Sequence, residues 1–226
     1  MNVYKKWIIA TLTLILLPLS AIAGFNFYID PLWNFSHAHH YNRIQMSFNE
    51  RQQKTNLITF GRHDYNALML GSSRVTYISQ YDFPQLKLFN YALNNMLLSE
   101  YNEYINYAKQ QVGHDFDCII IGLDFFATNQ NLKLPSHFEP PSYYFGQSRQ
   151  LGYRYKTLLS TDVLKYARKN YEASREGVPR SYAYNRANVK TLVAPAPEDR
   201  QWLINNNLKW YGEEVYGSTY RYDSVK

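Results

Sequence analysis

A single cysteine, Cys118, occurs in 226 residues, so no disulfide within the chain can staple its fold. It sits in the run Cys118-Ile119-Ile120-Ile121, where it reads as a small buried hydrophobe. Charge is also scarce: only 19% of residues are Asp, Glu, Lys or Arg, and no acidic residue precedes Asp30. The net charge is +6, of which Lys5 and Lys6 contribute two, leaving a mild +4 for the rest of the chain. The other basic residues are scattered singly, as at Arg43, Arg51, Arg62 and Arg149, with no nucleic-acid motif, so nucleic acid is not an expected partner. There is no internal repeat. His37-Ala38-His39-His40 lacks Cys or acidic partners at ligand spacing and reads as a solvated loop, so no metal and no cofactor is expected.

The chain is rich instead in apolar and aromatic side chains. Hydrophobic residues make up 46% of it, which excludes wholesale disorder and suffices for one core. There are 22 Tyr and 12 Phe, suited to an aromatic core with wet hydroxyls or to a sugar-binding surface. From Trp7 to Ala23 every residue is apolar, Ser, Thr or Pro, and Lys5-Lys6 lies before the stretch. A basic flank of this kind stays cytoplasmic and sends the downstream chain across the membrane. Two fates compete: a spanning anchor extended by Phe25, Phe27 and Tyr28, or cleavage after Ala21-Ile22-Ala23 and secretion. The anchor is the preferred expectation. Residues 1–29 are then the anchor, 30–62 an irregular linker with at most a short helix, and 63–226 one α/β domain.

Within that domain, Asn66-Ala67-Leu68-Met69-Leu70 predicts a short buried strand ending abruptly at Gly71-Ser72-Ser73-Arg74. Lys87 to Ala92 predicts a second strand. From Met96 to Val112, apolar residues at Leu97, Tyr101, Tyr104, Ile105, Ala108 and Val112 fall on one helical face. Cys118 to Leu123 is an uninterrupted apolar run, as in a parallel strand covered on both faces. Residues 127–150, with Pro135, Pro140 and Pro141, read as a long surface insertion. Asp162 to Ala173 predicts a helix capped by Ser160 or Thr161, and Ala194-Pro195-Ala196-Pro197 breaks the chain before a short helix at 198–205.

In an open α/β sheet, ligands gather beyond the carboxyl ends of the strands, where this pattern places Ser72, Ser73, Asn90 and Asp124. A serine on such a turn can attack an acyl ester, with its oxyanion held by nearby N–H groups. The same Gly-Ser-Ser turn can equally be a helix cap, with Ser72 at the N-cap.

The run from Asp64 to Arg74, then Asn90, then Ile120-Ile121-Gly122-Leu123-Asp124-Phe125-Phe126 resembles the first half of SGNH/GDSL-hydrolase-like envelope proteins. Tyr28-Ile29-Asp30-Pro31 and Asn49-Glu50-Arg51 resemble the stretch joining anchor to domain in bacterial members. The resemblance implies a flavodoxin-like, three-layer parallel sheet, incomplete here, after an N-terminal transmembrane helix. It also implies a single-pass protein of the bacterial cytoplasmic membrane with its domain on the extracytoplasmic side. Expected partners are acylated polysaccharide or envelope assembly proteins, and expected chemistry is that of an acyl esterase or O-acyltransferase. Ser73 takes the nucleophile's place and Ser72 the place of the preceding Asp, with Asn90 and Asp124 in the pocket.

The family's second-block glycine is missing near Asn90, and Asp124 stands where an Asn donor belongs; an ionised carboxylate cannot donate a hydrogen bond. No Asp has a His three residues on, and of the six histidines His137 is the nearest substitute for the base. The alternative is therefore a non-catalytic or truncated relative. Its pocket and aromatic insertion (Phe126, Phe138, Tyr143, Tyr144, Phe145) would bind glycan or a partner.

Overall fold

The computed structural model describes residues 3–129, 131–177, 183–186 and 190–192. The Pro-rich break at 194–197 and the helix expected at 198–205 lie outside these. The chain opens with one long helix, α1 (Val3–Ile29), long and apolar enough to cross a membrane. Nearly all of it stands clear of the rest of the chain; Leu14 and Leu17, for instance, are exposed. It stops because Asp30 turns into the left-handed region (φ 52°), and the Asp30 carboxylate accepts hydrogen bonds from the amides of Asn34 (2.7 Å) and Phe35 (3.0 Å). Asn and Asp tolerate that conformation better than other non-glycine residues.

The stretch expected as an irregular linker is instead built into the domain. It contains β1 (Ile44–Met46) and α2 (Glu50–Phe60), and Trp33 is buried with its ring edge against Tyr184. Apolar periodicity could not reveal α2, because its first seven residues, Glu50 to Asn56, are polar and all buried. Its helical form comes from capping, with the Asn49 side chain accepting from the Gln52 amide (3.1 Å), and from partners for its side chains.

A parallel sheet comes next. Its strands are β2 (Ala67–Leu70), β3 (Leu88–Asn90) and, after α3 (Leu98–Val112), β4 (Cys118–Ile121), in the order β3-β2-β4. Leu68 pairs with Phe89 on one side and Ile119 on the other. All four elements match the sequence pattern. One face of the sheet, with Leu68, Leu70 and Phe89, packs on Tyr101, Tyr104 and Ala108 of α3 and on Ile58 of α2. The other face, with Ala67, Met69 and Leu88, packs on Val75, Phe83 and Leu86 of the β2–β3 connection. β4 is less covered than its apolar run predicts: Cys118 to Ile120 are half-buried and Ile121 is exposed. Among the described strands it has a neighbour on one side alone.

The 127–150 insertion also departs from expectation, since α4 (Pro141–Arg149) inserts Tyr144 and Phe145 into the core, and Phe145 stacks on Tyr107 with centroids 4.0 Å apart. After a short turn of helix, α5 (Tyr153–Lys156), comes α6 (Thr161–Glu176), capped as expected by Ser160 through the Val163 amide. A second, antiparallel sheet joins β1 to β5 (Ala183–Asn185) and β6 (Lys190–Leu192). Strands of three residues are too short for alternation to announce them. Arg186, next to β5, reaches back to Asp30 (3.1 Å) and the Phe35 carbonyl (2.7 Å), closing the second sheet over the exit of α1.

Candidate functional site

The order β3-β2-β4 leads the chain away from β2 on one side and returns it on the other. The loops that leave β2 and β4 therefore lie side by side at the carboxyl end of the sheet, the place where open sheets hold ligands. Two glycines permit this. A Cβ on Gly71 would lie 2.4 Å from the Val75 methyl Cγ2, and one on Gly122 2.3 Å from the same atom, so both loops close around Val75 only because neither carries a side chain there.

Ser72 and Asp124 meet where these two loops touch. The buried Ser72 hydroxyl donates to one Asp124 carboxylate oxygen, and Arg74 donates to the other at 3.0 Å. The capping role open to Ser72 is marginal, since its hydroxyl lies 3.5 Å from the Arg74 amide. The next element is a 3-10 turn at Val75–Tyr77, with no α-helix before β3. Helix N–H groups that would surround a nucleophile are thus reduced to a single turn. The Tyr101 hydroxyl donates to the Gly122 carbonyl (3.1 Å), fixing the second loop from α3.

Asn90 lies at the same edge, but its amide is fully engaged. It donates to the carbonyls of Val75 (3.1 Å) and Ile78 (2.8 Å), and its oxygen accepts from the Ala92 amide (2.9 Å) and Lys54 Nζ (3.5 Å). Two donors and two acceptor sites are all an amide has. Lys54 is completely buried, also donating to the Ala92 carbonyl (2.6 Å), and burial pushes its ammonium down to about 8. It supports Asn90 from α2.

Ser73 differs from its neighbours. It is half-buried, and among the described residues neither its hydroxyl nor its amide has a hydrogen-bond partner; only its carbonyl accepts, from Thr76 Oγ1. No histidine serves it. His137 is exposed beside Phe138, whose ring lies under the Arg51 guanidinium, 4.8 Å from its centroid. His63 and His114 are exposed, and His114 lies just past the far end of α3. His37 and His39 are not the solvated loop expected of them. Both are half-buried, their rings lie parallel, and both Nε2 atoms contact the Tyr28 carbonyl at the end of α1, at 3.1 and 2.8 Å. No group of three His, Cys, Asp or Glu side chains able to hold a metal occurs among the described residues.

The aromatic insertion contributes little surface here: Tyr144 and Phe145 are core, while Tyr143 is exposed. Outside the insertion, Leu123 and Phe125 are the exposed apolar side chains flanking Asp124. Sequence reasoning singled out Ser72, Ser73, Asn90 and Asp124 and missed Lys54, Arg74 and Tyr101. For α2 the sequence offered only the expectation of a short helix somewhere in 30–62. Set against protein-family models, curated proteins and solved structures, the chain has no match to any of them.

Proposed function

We propose that the chain is a membrane-anchored envelope protein with an SGNH-like, flavodoxin-like domain on the extracytoplasmic side, and that its strand-end loops bind an acylated glycan without cleaving it. The observation that carries this reading is the state of Ser73. Ser73 is half-buried, and among the described residues its O–H and N–H have no hydrogen-bond partner and no base stands beside it, which suits it to receive an ester carbonyl or a sugar hydroxyl. A serine without a base is a weak nucleophile. Asp124, held by Ser72 and Arg74, cannot donate to an oxyanion while ionised.

A second reading, acyl esterase or O-acyltransferase with Ser73 as nucleophile, draws on the same pairing of a free hydroxyl with a free amide, the two parts that an oxyanion-stabilised attack requires. Its base would come from a partner. Full-length protein in detergent micelles, mixed with O-acetylated oligosaccharide, separates the two. Saturable binding that weakens in Ser73→Ala, with no acetate released, is expected; acetate release abolished by Ser73→Ala would replace binding with catalysis. No binding and no release would end both.

A further inference from the structure

The end of α1 is not a free tether. Asn26, buried in its last turns, donates through Nδ2 to the carbonyls of Leu158 (2.8 Å) and Ser160 (3.3 Å), and Ser160 is the cap of α6. α6 therefore starts at the end of the apolar helix. Its inner face, with Val163, Ala167, Asn170 and Ser174, is spent on the domain: Asn170 accepts from the Met46 amide (2.8 Å) and Ser174 from the Ile44 amide (2.9 Å). Its outer face is left open. Between that face and Phe25 of α1 runs an open groove of about 730 Å³. Leu164 and Phe25 give it an apolar floor, and Lys165, Arg168 and Lys169 line its rim with a single acid, Glu172.

Charge and position together select an occupant. Glu172 is paired with Arg168 (2.9 Å), which leaves the groove a net surplus of positive charge on Lys165 and Lys169. Phe25 lies four residues before the end of α1 at Ile29, so with α1 spanning the bilayer the groove opens near the depth where headgroups meet acyl chains. Aromatic side chains gather at the same level, with Tyr28 against His39 (4.2 Å) and Phe25 against Tyr171 (6.1 Å), as at a membrane interface. A soluble anion would use the lysines but not the floor, and a neutral lipid the floor but not the lysines.

We propose that this groove binds an anionic phospholipid, its phosphate headgroup on Lys165 and Lys169 and an acyl chain along Leu164 and Phe25. This rests on α1 being retained as an anchor. The lipid thereby sets how the domain stands on the bilayer, since α6 carries β1 and the second sheet on its inner face.

The test uses the full chain in nanodiscs of mixed phosphatidylglycerol and phosphatidylcholine, with native mass spectrometry of the released protein and its retained lipids. Phosphatidylglycerol is expected to be enriched, and the enrichment to fall about fivefold for each cation removed in Lys165→Gln and Lys165→Gln/Lys169→Gln. The double variant Lys87→Gln/Lys133→Gln has the same net charge, with both substitutions away from the groove, and is expected to keep the enrichment. Equal retention of the two lipids by the wild type, or equal loss in both double variants, overturns the proposal while leaving the anchor intact. The same spectra give the chain's mass. A chain shortened near Ala23 overturns the anchor reading and this inference with it.

Discussion

Two arginine–carboxylate pairs in this molecule have the same chemistry and different surroundings. Arg51 and Glu100 join α2 to α3 with side chains 1% and 6% exposed, at 2.5 and 3.1 Å, and Tyr104 adds its hydroxyl at 3.2 Å. Arg74 and Asp124 join the loops after β2 and β4 at 3.0 Å, but the Arg74 side chain is 76% exposed. Water competes for one pair and not for the other. The first therefore holds the fold, while the second leaves most of a guanidinium in solvent at the carboxyl end of the sheet.

Breaking the buried pair tests this most severely. Glu100→Ala leaves the Arg51 charge buried with no counter-charge at hand and removes the carboxylate that accepts from the Leu97 amide (2.9 Å) at the start of α3. A loss of about 3–5 kcal/mol in unfolding free energy is expected, measured by urea denaturation of the full chain in micelles. A loss near 1 kcal/mol would mean that Arg51 finds water, erasing the contrast. Asp124→Ala comes next: it leaves the buried Ser72 hydroxyl unsatisfied and should cost about 1–3 kcal/mol.

α2 was the part of the fold that the sequence concealed, and the reason is physical. α3 and α6 announce themselves because water on one side and core on the other impose an apolar stripe. β2, β3 and β4 do so because their side chains are mostly apolar. α2 is buried by hydrogen bonds instead: Gln52 reaches Ser148 (2.8 Å), Gln53 the Pro31 carbonyl (2.7 Å), Thr55 the Tyr91 hydroxyl (2.7 Å) and Asn56 the Leu32 carbonyl (2.8 Å). These partners come from distant parts of the chain, so no local pattern encodes them. The site was half legible for the same reason. Gly-Ser-Ser after an apolar run marks a strand-end turn, but that Ser72 binds Asp124, or that Asn90 is filled by Lys54, depends on contacts 52 and 36 residues apart.

Two ionisable groups of this concealed layer should tilt stability in opposite directions. Burial holds the Lys54 ammonium at about 8, below the ordinary lysine range, so between pH 8 and roughly 10 the native state has released a proton that the unfolded chain keeps. Stability then rises with pH, by at most about 1.4 kcal/mol per unit, and Lys54→Met should flatten that rise. Asp30 is raised to about 6 by burial, which outweighs the attraction of Arg186. Its contribution is full below about pH 4 and is lost as pH rises through 6, so Asp30→Asn should remove a fall in that window. Identical pH profiles for wild type and both variants would mean that water reaches these side chains.

The smallest stability effect belongs to the exposed arginine, and there the comparison is sharpest. Arg74→Ala gives up a contact to Asp124 from a side chain that is mostly in water, so unfolding should change by less than about 1 kcal/mol. Ser72 still satisfies one oxygen of the carboxylate, and solvent takes the place of the guanidinium on the other. If Arg74 serves the strand-end site rather than the fold, the same variant should weaken binding of an acylated oligosaccharide several-fold while its urea midpoint barely moves. An Arg74→Ala protein as destabilised as Glu100→Ala would show that the strand-end pair is structural after all. The unpaired hydroxyl and amide of Ser73 would then be a by-product of packing rather than a place for ligand.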